Sequence, residues 1–284
     1  MRDLIIVRGG GDIATGTIFT LRKAGFAVLI LECGRPSAIR RCVSFSEAVY
    51  EGSTKVEDTE CVRAGSVQEA VRCLEKRGLP VLIDPEAGSV SLFQKGGEYA
   101  GEFRLVALVD AILAKKNLGT KRGMAPFVIA LGPGFTAGSD CDAVIETMRG
   151  HDLGRVIRNG QALPNTGTPG LIAGHAADRV IHAECGGILY DAAKIGDYVE
   201  KDSTIAVITD PQGKKHEVRA PFAGLVRGLI RDSFPVTTGF KIADIDPRKT
   251  EYKNCFTISD KARCIGGAVL MSVMEFLSEE KEKA

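Results

Sequence analysis

The sequence predicts a mixed α/β protein, with a parallel sheet in the N-terminal half, a β-rich module after it and a closing helix. The chain opens on a strand, glycine turn, helix and strand between Leu4 and Glu32. An internal repeat of short strands follows in the second half. The last apolar segment, from Ala262 to Leu277, has helical spacing and follows Ser259, which is a suitable N-cap.

The composition limits the classes of protein that fit. The chain has 284 residues, of which 44% are hydrophobic, so it can bury a sizeable core in roughly two domains. A net charge of +1 argues against nucleic acid or an anionic membrane surface as a partner. Because no apolar run has the length of a membrane span and the N-terminus lacks a signal-peptide pattern, we expect a cytoplasmic protein.

The cysteines and histidines do not predict a metal site. Without a secretory signal, the eight cysteines are expected to be reduced thiols. The sequence has no C-x-x-C pair, and its four histidines lack the spacing of zinc ligands. We therefore predict no bound metal.

The opening pattern is typical of a Rossmann-like nucleotide-binding unit. Leu4–Val7 has the apolar composition of a strand buried on both faces, and three glycines follow it at once. Glycines have no Cβ atom, so backbone N–H groups in the turn can approach a phosphate at the positive end of the next helix. The predicted phosphate cradle comprises Gly9, Gly10, Gly11, Asp12 and Ile13.

Glu32 completes the fingerprint of a dinucleotide site. The spacing Gly9-x-Gly11-x-x-Ala14 matches that fingerprint, and Glu32 lies about 20 residues on, where a carboxylate accepts ribose hydroxyls. Arg8 stands where a small apolar residue is usual, so it would either crowd the turn or pair with an anion. A tight crossover without a ligand stays open as the alternative.

Three arginines and one aspartate extend the predicted ligand rim. Arg35, Arg40 and Arg41 follow Glu32, where such side chains hold a 2′-phosphate or another anion, although a solvated basic turn fits equally. Asp84 ends another buried-type strand, and polar strand ends line ligand sites in open α/β sheets.

A second glycine loop repeats the opening pattern. Phe127–Leu131 reads as a strand, and a helix capped by Ser139 or Asp140 is predicted to run to Met148. The intervening glycines would form a second anion site, although Pro133 removes one donor. The two glycines assigned to this site are Gly132 and Gly134.

Four segments follow from these patterns. We predict a nucleotide-binding domain over 1–150, a glycine- and proline-rich connection over 151–182, a β module over 183–248, and a C-terminal segment with a helix over 249–284. Within the first domain, the apolar run 104–116 is divided into a strand to about Val109 and a helix carrying Asp110 and Lys115.

The β module contains an internal repeat. Ala183–Leu189 aligns with Ala220–Val226, and the same offset aligns Ile205 with Ile242. Each half reads as short strands with glycine turns. Since neither half could bury its apolar face alone, we predict a small sandwich with pseudo-twofold symmetry.

This module resembles the biotinyl/lipoyl hammerhead fold, the barrel-sandwich hybrid. The resemblance rests on Gly196-Asp197-x-Val199 and on Val218-x-Ala220-Pro221. In carriers of that fold a modified lysine sits on the hairpin between the halves. Here that hairpin, residues 209–216, lacks the residues that flank the modified lysine, so we expect no biotin or lipoate and a structural or docking module instead.

The C-terminal segment offers one candidate catalytic residue and one packing signal. Cys255 precedes the closing helix, where the helix dipole lowers a thiol's pKa, so it could carry sulfur or selenium as a persulfide-type thiolate. A buried structural cysteine is the alternative. Gly266 and Gly267 are costly inside a helix and therefore predict a kink or close packing against another backbone.

Taken together, several motifs resemble the YqeB family over nearly the whole chain. They are GGGDIATG, ALGPGFTAGSDCDAVIET, HDLGRVI with NTGTPG, and KIADIDPR with ISDKARCIGGAVL. The resemblance implies an accessory protein for the maturation of, or cofactor insertion into, a selenium-dependent molybdenum hydroxylase. That enzyme would be the client, and no reaction or catalytic mechanism is implied.

Three functions remain open from the sequence. The first is the maturation factor, with a molybdopterin nucleotide or a dinucleotide such as NAD(P) as the bound cofactor. The second is an NAD(P)-dependent oxidoreductase with a catalytic acid near Asp84 or Asp110. The third is a non-enzymatic adaptor. The sequence decides neither whether a reaction is catalysed nor whether the chain forms a homo-oligomer.

Overall fold

The computed structural model describes residues 1–167 and 174–283, which divide into two compact units. Unit 1 comprises Met1–Pro36, Ser44–Asn165 and Ile258–Ala284, and unit 2 comprises Ser37–Val43 and Thr166–Thr257. The closing helix therefore belongs with the N-terminal residues, whereas the sequence prediction placed it in a separate segment. The end of the NTGTPG motif, in the predicted connection 151–182, lies outside the described residues.

Unit 1 is built on a nine-stranded sheet in the order β3-β4-β5-β2-β1-β6-β7-β8-β9. Neighbouring strands are parallel from β4 to β8, and β3 and β9 join antiparallel at the two edges. The predicted parallel sheet is confirmed. The strands are β1 (Arg2–Arg8), β2 (Ala27–Glu32), β3 (Ser53–Val56), β4 (Thr59–Ala64), β5 (Pro80–Ile83), β6 (Phe103–Asp110), β7 (Phe127–Leu131), β8 (Ala143–Ile145) and β9 (Val156–Ile157).

Two helices of unit 1 begin at serine N-caps, and the cap at Ser259 confirms the sequence prediction. The Ser66 Oγ accepts a hydrogen bond from the Glu69 N–H at 3.2 Å, and the Ser259 Oγ accepts one from the Ala262 N–H at 3.2 Å. Both bonds satisfy N–H groups that lack a partner within their own helix. The helices are α1 (Asp12–Lys23), α2 (Ala48–Glu51), α3 (Val67–Glu75) and α4 (Asp260–Lys283).

Helices α1 and α4 cross at glycines. A Cβ atom added to Gly16 would lie 2.5 Å from the Ala262 carbonyl oxygen, and one added to Gly266 would lie 2.7 Å from the Gly16 carbonyl oxygen. The close packing predicted from Gly266 is therefore confirmed. Gly267 faces open space, with no heavy atom within 4 Å of an added Cβ, so it does not share this contact.

The helix predicted after Val109 is not formed. Strand β6 continues to Asp110, because a continuous apolar run suits a central strand that is covered on both faces and pairs with β1 and β7. Beyond the strand, Leu113 and Lys115 have φ values of 59° and 61°, which a right-handed helix does not allow.

Unit 2 contains two four-stranded antiparallel sheets, in the orders β10-β17-β15-β12 and β14-β13-β11-β16. Buried side chains from both sheets, among them Leu189 and Val226, share one apolar core. The strands are β10 (Val180–His182), β11 (Gly187–Asp191), β12 (Tyr198–Val199), β13 (Thr204–Thr209), β14 (Lys215–Arg219), β15 (Gly224–Leu229), β16 (Phe234–Val236) and β17 (Lys241–Asp246).

The strands of unit 2 follow the sequence repeat. Strands β11 and β15 begin 37 residues apart, at Gly187 and Gly224, and β13 and β17 begin at the same offset, at Thr204 and Lys241. Strands β10 to β13 form the first half of the repeat, and β14 to β17 form the second half. Each sheet contains two strands from each half. The halves therefore exchange strands, which explains why neither half closes a core alone.

Candidate functional site

The glycine turn after β1 lies at the carboxyl edge of the parallel sheet. Gly9 has a φ of 95°, and its N–H donates to the Leu31 carbonyl at 2.8 Å. A Cβ atom added to Gly10 would lie 2.9 Å from the Ser46 nitrogen, so that position admits no side chain. Gly11 is the N-cap of α1, with φ −66° and ψ −179°, and no heavy atom lies within 4 Å of an added Cβ.

Glu32 reaches the turn as its position at the end of β2 predicts. Its Oε2 accepts a hydrogen bond from the Gly10 N–H at 2.7 Å, and its Oε1 accepts one from the Cys33 N–H at 2.8 Å. The carboxylate thus holds the turn in place. Each oxygen keeps a second lone pair, which a ribose hydroxyl could use.

Only part of the predicted cradle remains open. The N–H groups of Gly9 and Gly10 are engaged within the protein, by Leu31 and Glu32. Asp12 and Ile13 form the first turn of α1 and are half-buried, beside the open Gly11. First-turn N–H groups have no acceptor within their helix, so the donors that can face an anion begin at Gly11.

Arg8 is paired with an anion of the protein itself. The guanidinium is 2% exposed and lies 3.6 Å from the carboxylate of Asp110, which is 1% exposed. It also donates to the Pro85 carbonyl at 2.7 Å and to the Thr120 hydroxyl. The structure therefore supports the prediction that Arg8 pairs with an anion, and that anion is the side chain of Asp110.

Asp110 is the acid of this buried cluster. The Thr120 hydroxyl donates to its Oδ2 at 2.6 Å. Burial raises the pKa of the Asp110 carboxyl, and the Thr120 hydrogen bond and the Arg8 charge oppose that rise. Sequence reasoning gave Asp110 to a helix and missed Thr120, for which no sequence signal exists.

Residues 111–120, here called the strap, lie against both glycine turns. A Cβ atom added to Gly9 would lie 2.9 Å from the Ala111 carbonyl oxygen, and one added to Gly134 would lie 2.6 Å from the Lys116 nitrogen. The strap backbone therefore occupies the space that these two glycines leave. At these two glycines, the missing side chain makes room for the protein's own backbone.

The second glycine loop does not precede a helix. Residues 143–145 form strand β8, which pairs in parallel with β7, so the helix predicted from Ser139 or Asp140 to Met148 is wrong. The Asp140 carboxylate accepts a hydrogen bond from the Thr136 N–H at 2.7 Å and closes a turn instead. Gly132 and Gly134 therefore lie at no helix N-terminus, and the helix-dipole argument for a second anion site does not hold.

Three of the other predicted rim residues are bonded within the protein. The Asp84 carboxylate accepts hydrogen bonds from the Gly88 and Ser89 N–H groups at 3.0 and 2.8 Å. Within unit 2, Arg40 donates to the Asn254 carbonyl at 2.8 Å, and Arg41 pairs with Asp191 at 3.0 Å. Arg35 is exposed.

Cys255, in unit 2, does not have the environment predicted for a reactive thiolate. It ends a short 3-10 helix, Lys249–Cys255, instead of beginning one, and it is 1% exposed. Burial raises the pKa of its thiol, although the Arg227 and Arg40 charges oppose this. The expected lowering of this pKa by a helix dipole is therefore wrong.

Metal-binding clusters and membrane-spanning helices are both absent from the described residues. Within residues 1–167 and 174–283, no cluster of three or more His, Cys, Asp or Glu side chains is arranged to hold a metal ion. None of the helices in this part of the chain has the length and apolar character needed to cross a membrane.

Comparison with known sequences gives one relative. No protein-family model matches the chain. The chain is 46% identical over 276 residues to the "Uncharacterized protein YqeB" of Escherichia coli (strain K12). The alignment covers 97% of this chain and 48% of the relative, so the chain spans about half the length of the curated relative that it matches. This similarity supports the resemblance to the YqeB family.

Comparison with solved structures gives only distant similarities. An aspartoacylase family protein from Mesorhizobium loti is 13% identical, over 87% of this chain and 86% of that chain, with a TM-score of 0.30. The apo form of the ectoine utilization protein EutE from Ruegeria pomeroyi is 12% identical, over 86% of each chain, with a TM-score of 0.26. TM-scores this low carry no argument about fold or function.

Proposed function

We propose that this protein is an accessory factor for the maturation of, or cofactor insertion into, a selenium-dependent molybdenum hydroxylase. Unit 1 would act as a Rossmann-like domain that binds a nucleotide or a molybdopterin-type cofactor. The observation that best supports this proposal is the N-terminus of α1, which is open at Gly11. The Glu32 carboxylate lies beside it and accepts a hydrogen bond from the Gly10 N–H at 2.7 Å. The client enzyme follows from the resemblance to the YqeB family, which the 46% identical relative supports.

The geometry suits one phosphate better than an extended cradle. The first-turn N–H groups of α1 and the helix dipole favour a negative charge next to Gly11. Glu32 would accept ribose hydroxyls through its remaining lone pairs. Molybdopterin carries a phosphate, and often a nucleotide, so both candidate cofactors offer the groups that this edge of the sheet can bind.

Unit 2 would dock the client as a barrel-sandwich module that carries no prosthetic group. Asp210 fixes the hairpin between β13 and β14 by accepting hydrogen bonds from the Gln212 and Lys214 N–H groups at 3.0 and 2.9 Å. It also bonds the His216 ring at 2.8 Å.

The oxidoreductase alternative has less support. Asp84 caps a turn and Asp110 is buried against Arg8 and Thr120, so neither carboxyl faces the open side of the glycine turn as a catalytic acid would. The adaptor alternative keeps one observation in its favour, since Ile188 and Tyr190 are 36% and 45% exposed on the outer face of β11. Cys255 is left out of the proposed chemistry because its thiol is buried.

Thermal-shift measurements with NAD, NADP, a molybdopterin nucleotide and sulfate test the proposal. We expect the molybdopterin nucleotide to raise the unfolding temperature of the wild type, and Gly11→Leu to abolish this shift because its side chain would fill the ligand's space. Gly101→Leu is the matched control, since Gly101 also has open space around its Cβ direction. A shift with a dinucleotide alone would favour the oxidoreductase, and no shift with any compound would favour the adaptor.

A further inference from the structure

The strap combines a strained backbone, an exposed middle and two buried ends. Leu113 and Lys115 both adopt left-handed backbone conformations without being glycine, which strains the backbone at both positions. The ends of the strap, Ala111 and Thr120, are buried, whereas Lys115 and Lys116 between them are exposed. A strained, exposed segment held at two buried ends is suited to local opening.

Hydrogen bonds to Arg8 hold both ends of the strap. At its beginning, the Ala111 N–H donates to the Arg8 carbonyl at 2.8 Å and continues the pairing of β6 with β1. At its end, the Arg8 guanidinium donates to the Leu118 carbonyl at 3.1 Å and to the Thr120 hydroxyl. Arg8 immediately precedes the glycine turn, so the same residue anchors both ends of the strap.

The closed strap also lies against the candidate site. Its backbone meets Gly9 at Ala111 and Gly134 at Lys116, at distances that would exclude a Cβ atom from either glycine. A dinucleotide or a second phosphate that reached from Gly11 toward β6 and β7 would need this space. The strap therefore restricts how much of a ligand the carboxyl edge admits.

We propose that residues 111–120 are an autoinhibitory strap, latched by Arg8 and Thr120, whose opening exposes the carboxyl ends of β1, β6 and β7 to a phosphate-bearing ligand. This inference rests on the proposed function of the glycine turn. In the closed state the region of Gly11 is open, and in the open state the space beside Gly134 becomes accessible as well. A ligand that needs this space binds the open state and shifts the population toward it.

Gly134→Ala is designed to open the strap, and Gly138→Ala is its matched control. Both glycines have positive φ, 107° and 88°, so both variants carry the same kind of backbone strain. Only the Cβ of Gly134→Ala would meet the strap, 2.6 Å from the Lys116 nitrogen, whereas the nearest atom at 138 is 3.9 Å away. Thr120→Val is a second variant that removes the latch hydroxyl and keeps the Arg8–Asp110 pair.

Two measurements are made on the whole 284-residue chain. Native-state hydrogen exchange reports opening of residues 111–120, and calorimetry reports the affinity for NAD and for pyrophosphate. We expect Gly134→Ala and Thr120→Val to speed exchange in the strap by about tenfold relative to Gly138→Ala and to tighten NAD binding by a similar factor.

The outcomes separate the two proposals. Unchanged exchange in both variants, or faster exchange with unchanged NAD affinity in a chain that does bind NAD or pyrophosphate, would overturn the strap and leave the glycine-turn site standing. If wild type and all variants bind neither compound, the strap inhibits nothing and the inference fails, whereas the thermal shift with the molybdopterin nucleotide still decides the proposed function. Faster exchange with tighter binding supports the inference.

Discussion

The two glycine turns of unit 1 have similar sequences and different structures. Both follow a buried strand of the same sheet, β1 and β7, and both place a glycine with positive φ against the strap backbone. The first turn continues into helix α1, whereas the second continues through a turn closed by Asp140 into strand β8. Only the first turn therefore offers helix N–H donors.

The difference shows that a glycine after a strand does not identify a phosphate site by itself. At Gly9 and Gly134 the missing side chain makes room for the protein's own backbone, and at Gly11 it leaves open space. The glycine that admits a ligand is thus distinguished by what surrounds it. Four predictions test this distinction, in order of decreasing expected effect.

Arg8→Met should be the most destabilising change, because it leaves Asp110 buried without its cation. We expect a loss of about 3–5 kcal/mol in the free energy of unfolding. Burial already raises the pKa of Asp110, so the folded chain holds that proton to higher pH than the unfolded chain. The contribution of Asp110 to stability therefore falls as the pH rises from its pKa in the unfolded chain to its higher pKa in the folded chain.

Urea unfolding at two pH values checks this prediction. The loss in Arg8→Met should be largest at about pH 8 and should shrink as the pH falls toward 4, because a protonated Asp110 leaves no unpaired buried charge. The double variant Arg8→Met with Asp110→Asn should recover part of the stability, because it leaves no unpaired buried charge. Equal losses at both pH values would contradict the assignment of a charged pair.

Gly9→Ala tests whether the strap or the backbone angle requires glycine in the first turn. Gly25 is its matched control, since the φ values are 95° and 97°, and no atom lies within 4 Å of a Cβ at Gly25. Because a Cβ at Gly9 would press on the Ala111 carbonyl, we expect Gly9→Ala to cost about 1–3 kcal/mol more than Gly25→Ala. Equal costs in chemical denaturation would show that backbone strain alone selects glycine at position 9.

Glu32→Gln tests how the carboxylate holds the first turn. An amide can accept from only one of the Gly10 and Cys33 N–H groups, so we expect a loss of about 1–2 kcal/mol in unfolding free energy. Burial, together with the charge of Glu32, raises the pKa of the Cys33 thiol to about 11.

The Cys33 thiol supplies a separate readout for this variant. Removing the negative charge of Glu32 should lower the pKa of that thiol and speed its alkylation at pH 8 to 9. Glu69→Gln is a suitable control, because Glu69 also accepts a backbone hydrogen bond, from the Gly65 N–H at 2.8 Å, far from Cys33 in the sequence. An unchanged alkylation rate in Glu32→Gln would argue against the contact between Glu32 and Cys33.

Gly11→Ala should change stability least. Its φ of −66° suits any residue, and the Cβ would enter open space. We expect thermal unfolding to change by less than about 0.5 kcal/mol in free energy. A loss as large as that of Gly9→Ala would mean that the space at Gly11 is filled, and the glycine turn could then bind no ligand.

Sequence patterns predicted much of the fold where the signal is local or periodic. Helix α1, the caps at Ser66 and Ser259, and the repeat of unit 2 all follow from the spacing of apolar residues and from capping side chains. The position of Glu32 beside the glycine turn also follows, because parallel neighbouring strands end at the same edge of a sheet.

The sequence by itself therefore determined the opening strand, turn, helix and strand, the closing helix, the repeat and the place of the first glycine turn. Tertiary structure decided the conformation of residues 111–120 and 139–148, the pairing of Arg8 with Asp110, and the burial of Cys255. These features depend on contacts between residues far apart in the chain, and such contacts leave no periodic pattern of apolar residues. For the same reason, only the folded chain shows that Gly11 faces open space while Gly9 and Gly134 face the strap.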